Sequence, residues 1–123
     1  MTKNKVGQIE WRDLTVEHAE HVSDFYSKVV GWQKQPVSLG DYDDFNMNQQ
    51  SSGETVAGIC HARGSNADIP PQWMMYVRVT DVEYSVKEVQ QLGGQILKGP
   101  TSFGGESYYV IQDPAGAVLT IFS

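Results

Sequence analysis

A chain of 123 residues is long enough to bury one hydrophobic core without disulfides or a structural metal, and one domain is the expected count. Hydrophobic residues make up 40% and charged residues 20%, and no apolar run approaches the roughly 18 residues of a bilayer span, so a soluble domain with no membrane partner is expected. The formal net charge is -6 and the nine Lys and Arg are scattered, which excludes nucleic acid as an expected partner, because neutralising phosphates takes clustered cations.

Met1 to Gln8 carry two lysines but no following apolar stretch or small-residue cleavage site, so no secretory signal is read and a cytoplasmic location is expected. Ile9 to Leu14 read as a short strand. Thr15 offers a hydroxyl N-cap for a helix over about 16–30, in which Ala19, Val22, Tyr26 and Val29 form one apolar stripe and Gly31 supplies the stop. Three strand-like segments follow at 32–37, 42–48 and 54–61, separated by turns around Gly40 and Ser51-Ser52-Gly53. The lone cysteine, Cys60, reads as a small buried hydrophobe rather than a reactive thiol. Residues 63–72 contain Pro70-Pro71 and read as an extended linker.

The same order then returns. A strand at 73–79 precedes a helix capped by Asp81, with Val82, Val86, Val89 and Leu92 along one side and Gly93-Gly94 at its end. Strands are expected at 95–98, 107–112 and 117–122, the last two joined by the turn Asp113-Pro114-Ala115-Gly116. At a constant offset of 63, Gly31 falls on Gly94, Gly53 on Gly116, Val29 on Leu92 and Leu14 on Val77. Helix stops, turn glycines and strand positions come into register together, which is the signature of an internal repeat. The expected architecture is a single α+β domain of two βαβββ repeats, at about 9–62 and 73–122.

Trp11-Arg12-Asp13-Leu14, then Asp24-Phe25-Tyr26 running to Gly31-Trp32, then Val56-Ala57-Gly58-Ile59, Pro71 to Val77, and Asp113 to Ala117 occur in this order over nearly the whole chain. Together they resemble the glyoxalase, bleomycin-resistance and extradiol-dioxygenase superfamily, and within it a branch without an assigned substrate. The resemblance implies a cup of about eight mixed strands with the helices outside. It also implies a pocket between the repeats whose floor usually holds a divalent metal on His, Gln or Glu from the first and last strands of each repeat. Carried over by position, those sites fall near Trp11, Ala57 or Gly58, Met74 and Thr120. Indole, methyl or hydrogen, thioether and a lone hydroxyl are poor donors for a hard or borderline cation, so neither metal nor another cofactor is expected. Shifting the register by one brings in Glu10 but no second donor set.

By the same resemblance, Trp11, Tyr76 and Thr120 fall on the pocket face, with Asp13 and Arg78 on the same strand faces. Trp73, Phe45, Met47 and Tyr108 complete the candidate lining, although alternation puts Trp73 opposite Tyr76. His18 and His21 on the first helix read as solvated, and His61 as a strand-end residue able to reach a pocket rim as a base. Gly104-Gly105-Glu106 lacks the lysine and helix of a phosphate cradle and reads as a mobile rim loop. Three functions remain open: a metal-independent binding protein for a small aromatic or amphipathic ligand, an enzyme (lyase, isomerase or dioxygenase) using an atypical metal or acid-base site, and a dimerising module. The catalytic residues are unknown. A homodimer is expected, as short chains of this superfamily commonly pair.

Overall fold

The computed structural model describes residues 5–123, so the reading of Met1 to Asn4 lies outside the described residues. In chain order the elements are β1 (Ile9–Val16), α1 (Ala19–Val29), β2 (Gln33–Ser38), β3 (Asp43–Asn48), β4 (Thr55–His61), β5 (Trp73–Arg78), α2 (Val82–Gln91), β6 (Gln95–Phe103), β7 (Glu106–Gln112) and β8 (Val118–Phe122), with one 3-10 turn at Gly64–Asn66. This is the expected α+β fold of two βαβββ repeats. No helix among the described residues is long and apolar enough to cross a membrane.

The chain divides into two compact units, Arg12–Trp73 and Met1–Trp11 with Met74–Ser123. In the first unit the ladder order is β2-β3-β4-β1, antiparallel except for the parallel β1–β4 pair. The second unit repeats this as β5-β8-β7-β6, with β5 and β8 parallel. There Gly7 N donates to Arg78 O and Arg78 N to Gln8 O.

Each helix covers one face of its own ladder. Under α1 lie Leu14, Phe45, Met47, Ala57 and Ile59, all buried, and under α2 lie Tyr109 and Ile121 with Val82. Asp81 caps α2 as expected, accepting from Glu83 N and Tyr84 N at 3.1 and 3.3 Å. The expected Thr15 cap of α1 is corrected. Thr15 stays in β1, paired with Cys60 on β4, and α1 begins at Ala19 after His18 without a side-chain cap. Leu14, Thr15 and Val16 all pair with β4, and a threonine held in a ladder cannot also turn its backbone into a cap.

Strand β6 also runs past its expected end, through Gly99-Pro100 to Phe103. It lies at the end of the ladder order, where a missing donor breaks no pairing on its free side, and register shifts between Ile96 and Thr101 absorb the proline. Gly99 has φ 125°, and a Cβ there would stand 2.7 Å from the Tyr108 carbonyl oxygen.

Candidate ligand-binding face

Side-chain alternation divides the β5-β8-β7 ladder into two faces. The row Val77, Ile121, Tyr109 belongs to the α2 side, where the Tyr109 hydroxyl donates to Glu83 Oε2 at 2.7 Å. Two neighbouring rows lie on the other face: Tyr76, Thr120, Val110 and Arg78, Phe122, Tyr108. Strand register alone therefore gathers two tyrosines, a phenylalanine, an arginine and a threonine.

Their rings form one aromatic group. Tyr108 stacks on Phe122 with centroids 4.9 Å apart and planes inclined by 11°, and Tyr76 meets Tyr108 edge-on at 6.2 Å. Phe103 reaches Tyr108 at 6.5 Å and is 74% exposed, so the group has an accessible edge. The Arg78 guanidinium lies 4.5 Å from the Phe122 ring centre.

Arg78 is held from two directions. Its Nε and Nη2 donate to Glu10, and its Nη1 donates to Glu106 Oε2 at 2.5 Å. Hydrogen bonding to Arg78 holds the Glu10 carboxyl below the usual carboxylate range, and the two glutamates keep Arg78 charged. One cation between two carboxylates leaves a net charge of about -1 on the group. Burial, and then the charge of Glu106, pushes the Tyr108 hydroxyl above its ordinary value, so it stays a neutral donor.

Thr120 stands between Tyr76 and Val110 in this arrangement and is 2% exposed. Its hydroxyl has no hydrogen-bond partner among the described residues. A buried orphan hydroxyl costs about 1–3 kcal/mol.

Of the nine residues expected from the sequence to line a pocket, Tyr76, Arg78, Tyr108 and Thr120 come together here. Trp11 belongs to the second unit and Asp13 to the first, where its charge helps push Cys60 upward. Phe45 and Met47, 4% and 0% exposed, are packed in the α1 core. Trp73 packs there too, with its ring against Tyr26 and Trp32 and its Nε1 donating to the Tyr26 hydroxyl at 3.1 Å. Sequence reasoning weighed Glu10 as a metal donor or an acid-base group and Glu106 only as part of a loop, and so missed their grip on Arg78.

His61 does not stand alone as a base. Its backbone N donates to Asp44 Oδ1 at 2.8 Å, its Nδ1 lies 3.4 Å from that oxygen, and its ring meets Tyr42 edge-on. Next to it, burial and then Asp13 and Asp44 push the Cys60 thiol up to about 12, which makes it a poor nucleophile.

The positions that the family resemblance assigns to metal ligands do not supply a donor set for a divalent ion. Trp11, Ala57, Gly58, Met74 and Thr120 offer at most one oxygen donor, and no three His, Cys, Asp or Glu side chains among the described residues are grouped to hold an ion.

Comparison with known proteins identifies the family from sequence and finds the same fold among solved structures. Residues 5–121 match the family model of the glyoxalase/bleomycin resistance protein/dioxygenase superfamily. The anthracycline biosynthesis protein DnrV of Streptomyces peucetius is 28% identical over 138 residues, covering 99% of this chain and 49% of that protein. CFP32 of Mycobacterium bovis, a candidate glyoxylase, is 30% identical over 122 residues, covering 94% of this chain and 45% of its own. The chain thus spans about half the length of the curated relatives it matches. Among solved structures, a superfamily member from Vibrio splendidus superposes with a TM-score of 0.57 at 12% identity, covering 91% of this chain and 95% of that one. Methylmalonyl-CoA epimerase from Mycobacterium tuberculosis does so with 0.52 at 12%, covering 90% and 83%. At these identities the structural likeness speaks for the fold alone.

Proposed function

The chain belongs to the glyoxalase/bleomycin resistance protein/dioxygenase superfamily, and on that premise we propose that it is a small-molecule-binding domain that takes a planar aromatic ligand without using the superfamily's usual metal site. The observation that carries this reading is the buried, unpartnered Thr120 hydroxyl beside Tyr76, in a face of stacked aromatic rings. The rings offer stacking area, and the threonine offers one directional hydrogen bond to a ligand hydroxyl or carbonyl.

Charge narrows the ligand class. Arg78 is engaged by Glu10 and Glu106 and is not free to pair with a ligand anion, so a neutral or cationic aromatic is favoured over a carboxylate or phosphate. That two relatives are anthracycline biosynthesis proteins supports a planar aromatic ligand. The same reading keeps the chain a homodimer and assigns no catalytic residue: Glu10, held anionic by Arg78 and below the usual carboxylate range, is a weak base.

The test is an amide NMR titration of chelator-treated protein with 2-naphthol, a neutral planar aromatic carrying one hydroxyl. Saturable shifts at Tyr76, Tyr108 and Thr120, weakened several-fold in Thr120→Val, are expected. Binding that appears only after zinc or nickel is restored contradicts the reading.

A further inference from the structure

The α2 side of the second unit carries a feature that the aromatic face does not use. A groove of about 240 Å³ runs between α2 and the end of β7, lined by Tyr84, Glu88, Val89, Leu92, Ile111 and Asp113 among others, and its walls are mostly apolar. Tyr84, Glu88 and Leu92 recur every four residues and so share one side of the helix, next to Val82 and Val86, which pack into the core. Tyr84 and Leu92 are 62% and 70% exposed, two large apolar side chains two turns apart with Glu88 between them.

Asp113 borders the groove at the end of β7. Its Oδ1 accepts from Ala115 N at 2.7 Å and Ala117 N at 3.0 Å in its own turn, which fixes this carboxylate at the rim.

A second carboxylate faces the same space. Glu88 has no ion-pair or side-chain hydrogen-bond partner among the described residues. An apolar trough with two carboxylates and a tyrosine ring at its edge is complementary to an ammonium group on an apolar body. The carboxylates attract the cation, the Tyr84 ring offers a cation–π face, and Val89, Leu92 and Ile111 take the body. The chain's net charge of -6 works in the same direction.

We propose that this groove is a second binding site, separate from the aromatic face, for small organic cations that carry one ring or a short alkyl body. Its volume lies below the roughly 300–1,000 Å³ of drug-sized sites, so the ligand is fragment-sized. The proposal does not depend on the function assigned to the other face.

Benzyltrimethylammonium is the probe, titrated into the full chain and followed by backbone amide shifts. Saturable shifts at Tyr84, Glu88, Leu92, Ile111 and Asp113 are expected, with Glu88→Gln weakening binding at least threefold and Lys87→Gln leaving it unchanged. Both variants are surface changes, and their spectra report whether the fold is kept. The anion 3-phenylpropionate, with a similar body, is expected to give no saturable shift there. Equal binding of the anion, an unaffected Glu88→Gln variant, no shifts in the groove, or shifts confined to Tyr76 and Tyr108 would each overturn the proposal.

Discussion

Thr120 has a hydroxyl that no described residue satisfies, and its removal therefore has a sign opposite to that of most core substitutions. Thr120→Val keeps the shape and deletes the unpaired group, so the ligand-free protein should gain about 1 kcal/mol in urea unfolding. A loss of stability instead would show that the hydroxyl is bonded in solution. Arg78→Met should act in the other direction, costing about 2–3 kcal/mol, because two partly buried carboxylates lose their shared cation and Phe122 loses its stacked guanidinium. The pH dependence of that loss follows from Glu10. Its folded-state value is depressed by Arg78, so the pair stabilises above the ordinary carboxylate range and fades as pH falls through the folded value. The stability difference between wild type and Arg78→Met should therefore be largest near neutrality and shrink below about pH 4. The shared face of Tyr76, Arg78 and Thr120 was legible in the sequence, because β5 and β8 alternate. The packing of Phe45, Met47 and Trp73 on the α1 side was not, because strands apolar on both sides do not say which side a helix covers. Glu106 was hidden by the glycines before it, since loop length does not reveal where the next strand begins.

Single residues also fix the elements. Asp81 makes both cap bonds of α2, and Asp81→Ala should cost about 1 kcal/mol in thermal or urea unfolding. No comparable loss is expected for His18→Ala, since α1 has no side-chain cap. Equal losses would mean that the two helix starts are equivalent after all. Gly99→Ala should be the more damaging change on β6, because its Cβ meets the Tyr108 carbonyl at 2.7 Å and Tyr109 at 2.8 Å, both in a strand that cannot retreat without losing its ladder. Helix positions and turn glycines were readable from periodicity and from the repeat. The two elements misjudged were those where tertiary pairing overrides a local signal: Thr15 kept in β1 by β4, and β6 carried past Pro100 by β7.

Over the whole molecule, the two units share one βαβββ plan, but their surfaces differ. In the first unit Trp73 and Trp32 pack half-buried with Tyr26 of α1, whereas the second has Tyr76, Tyr108 and Phe122 on the face away from α2, around a hydroxyl without a partner among the described residues. Family membership sets the fold and does not by itself set the chemistry. The reading of a metal-independent aromatic-binding domain rests on residues of the second unit and stands or falls with them. The most direct measurement is calorimetric titration of chelator-treated protein with 2-naphthol, set beside the anion 2-naphthoate and repeated with Tyr108→Ala. The account predicts saturable binding of the neutral ligand without added metal, at least tenfold weaker binding of the anion, and loss of most of the affinity in Tyr108→Ala. Binding of 2-naphthoate as tight as that of 2-naphthol, or affinity that returns only with a divalent metal, would contradict it.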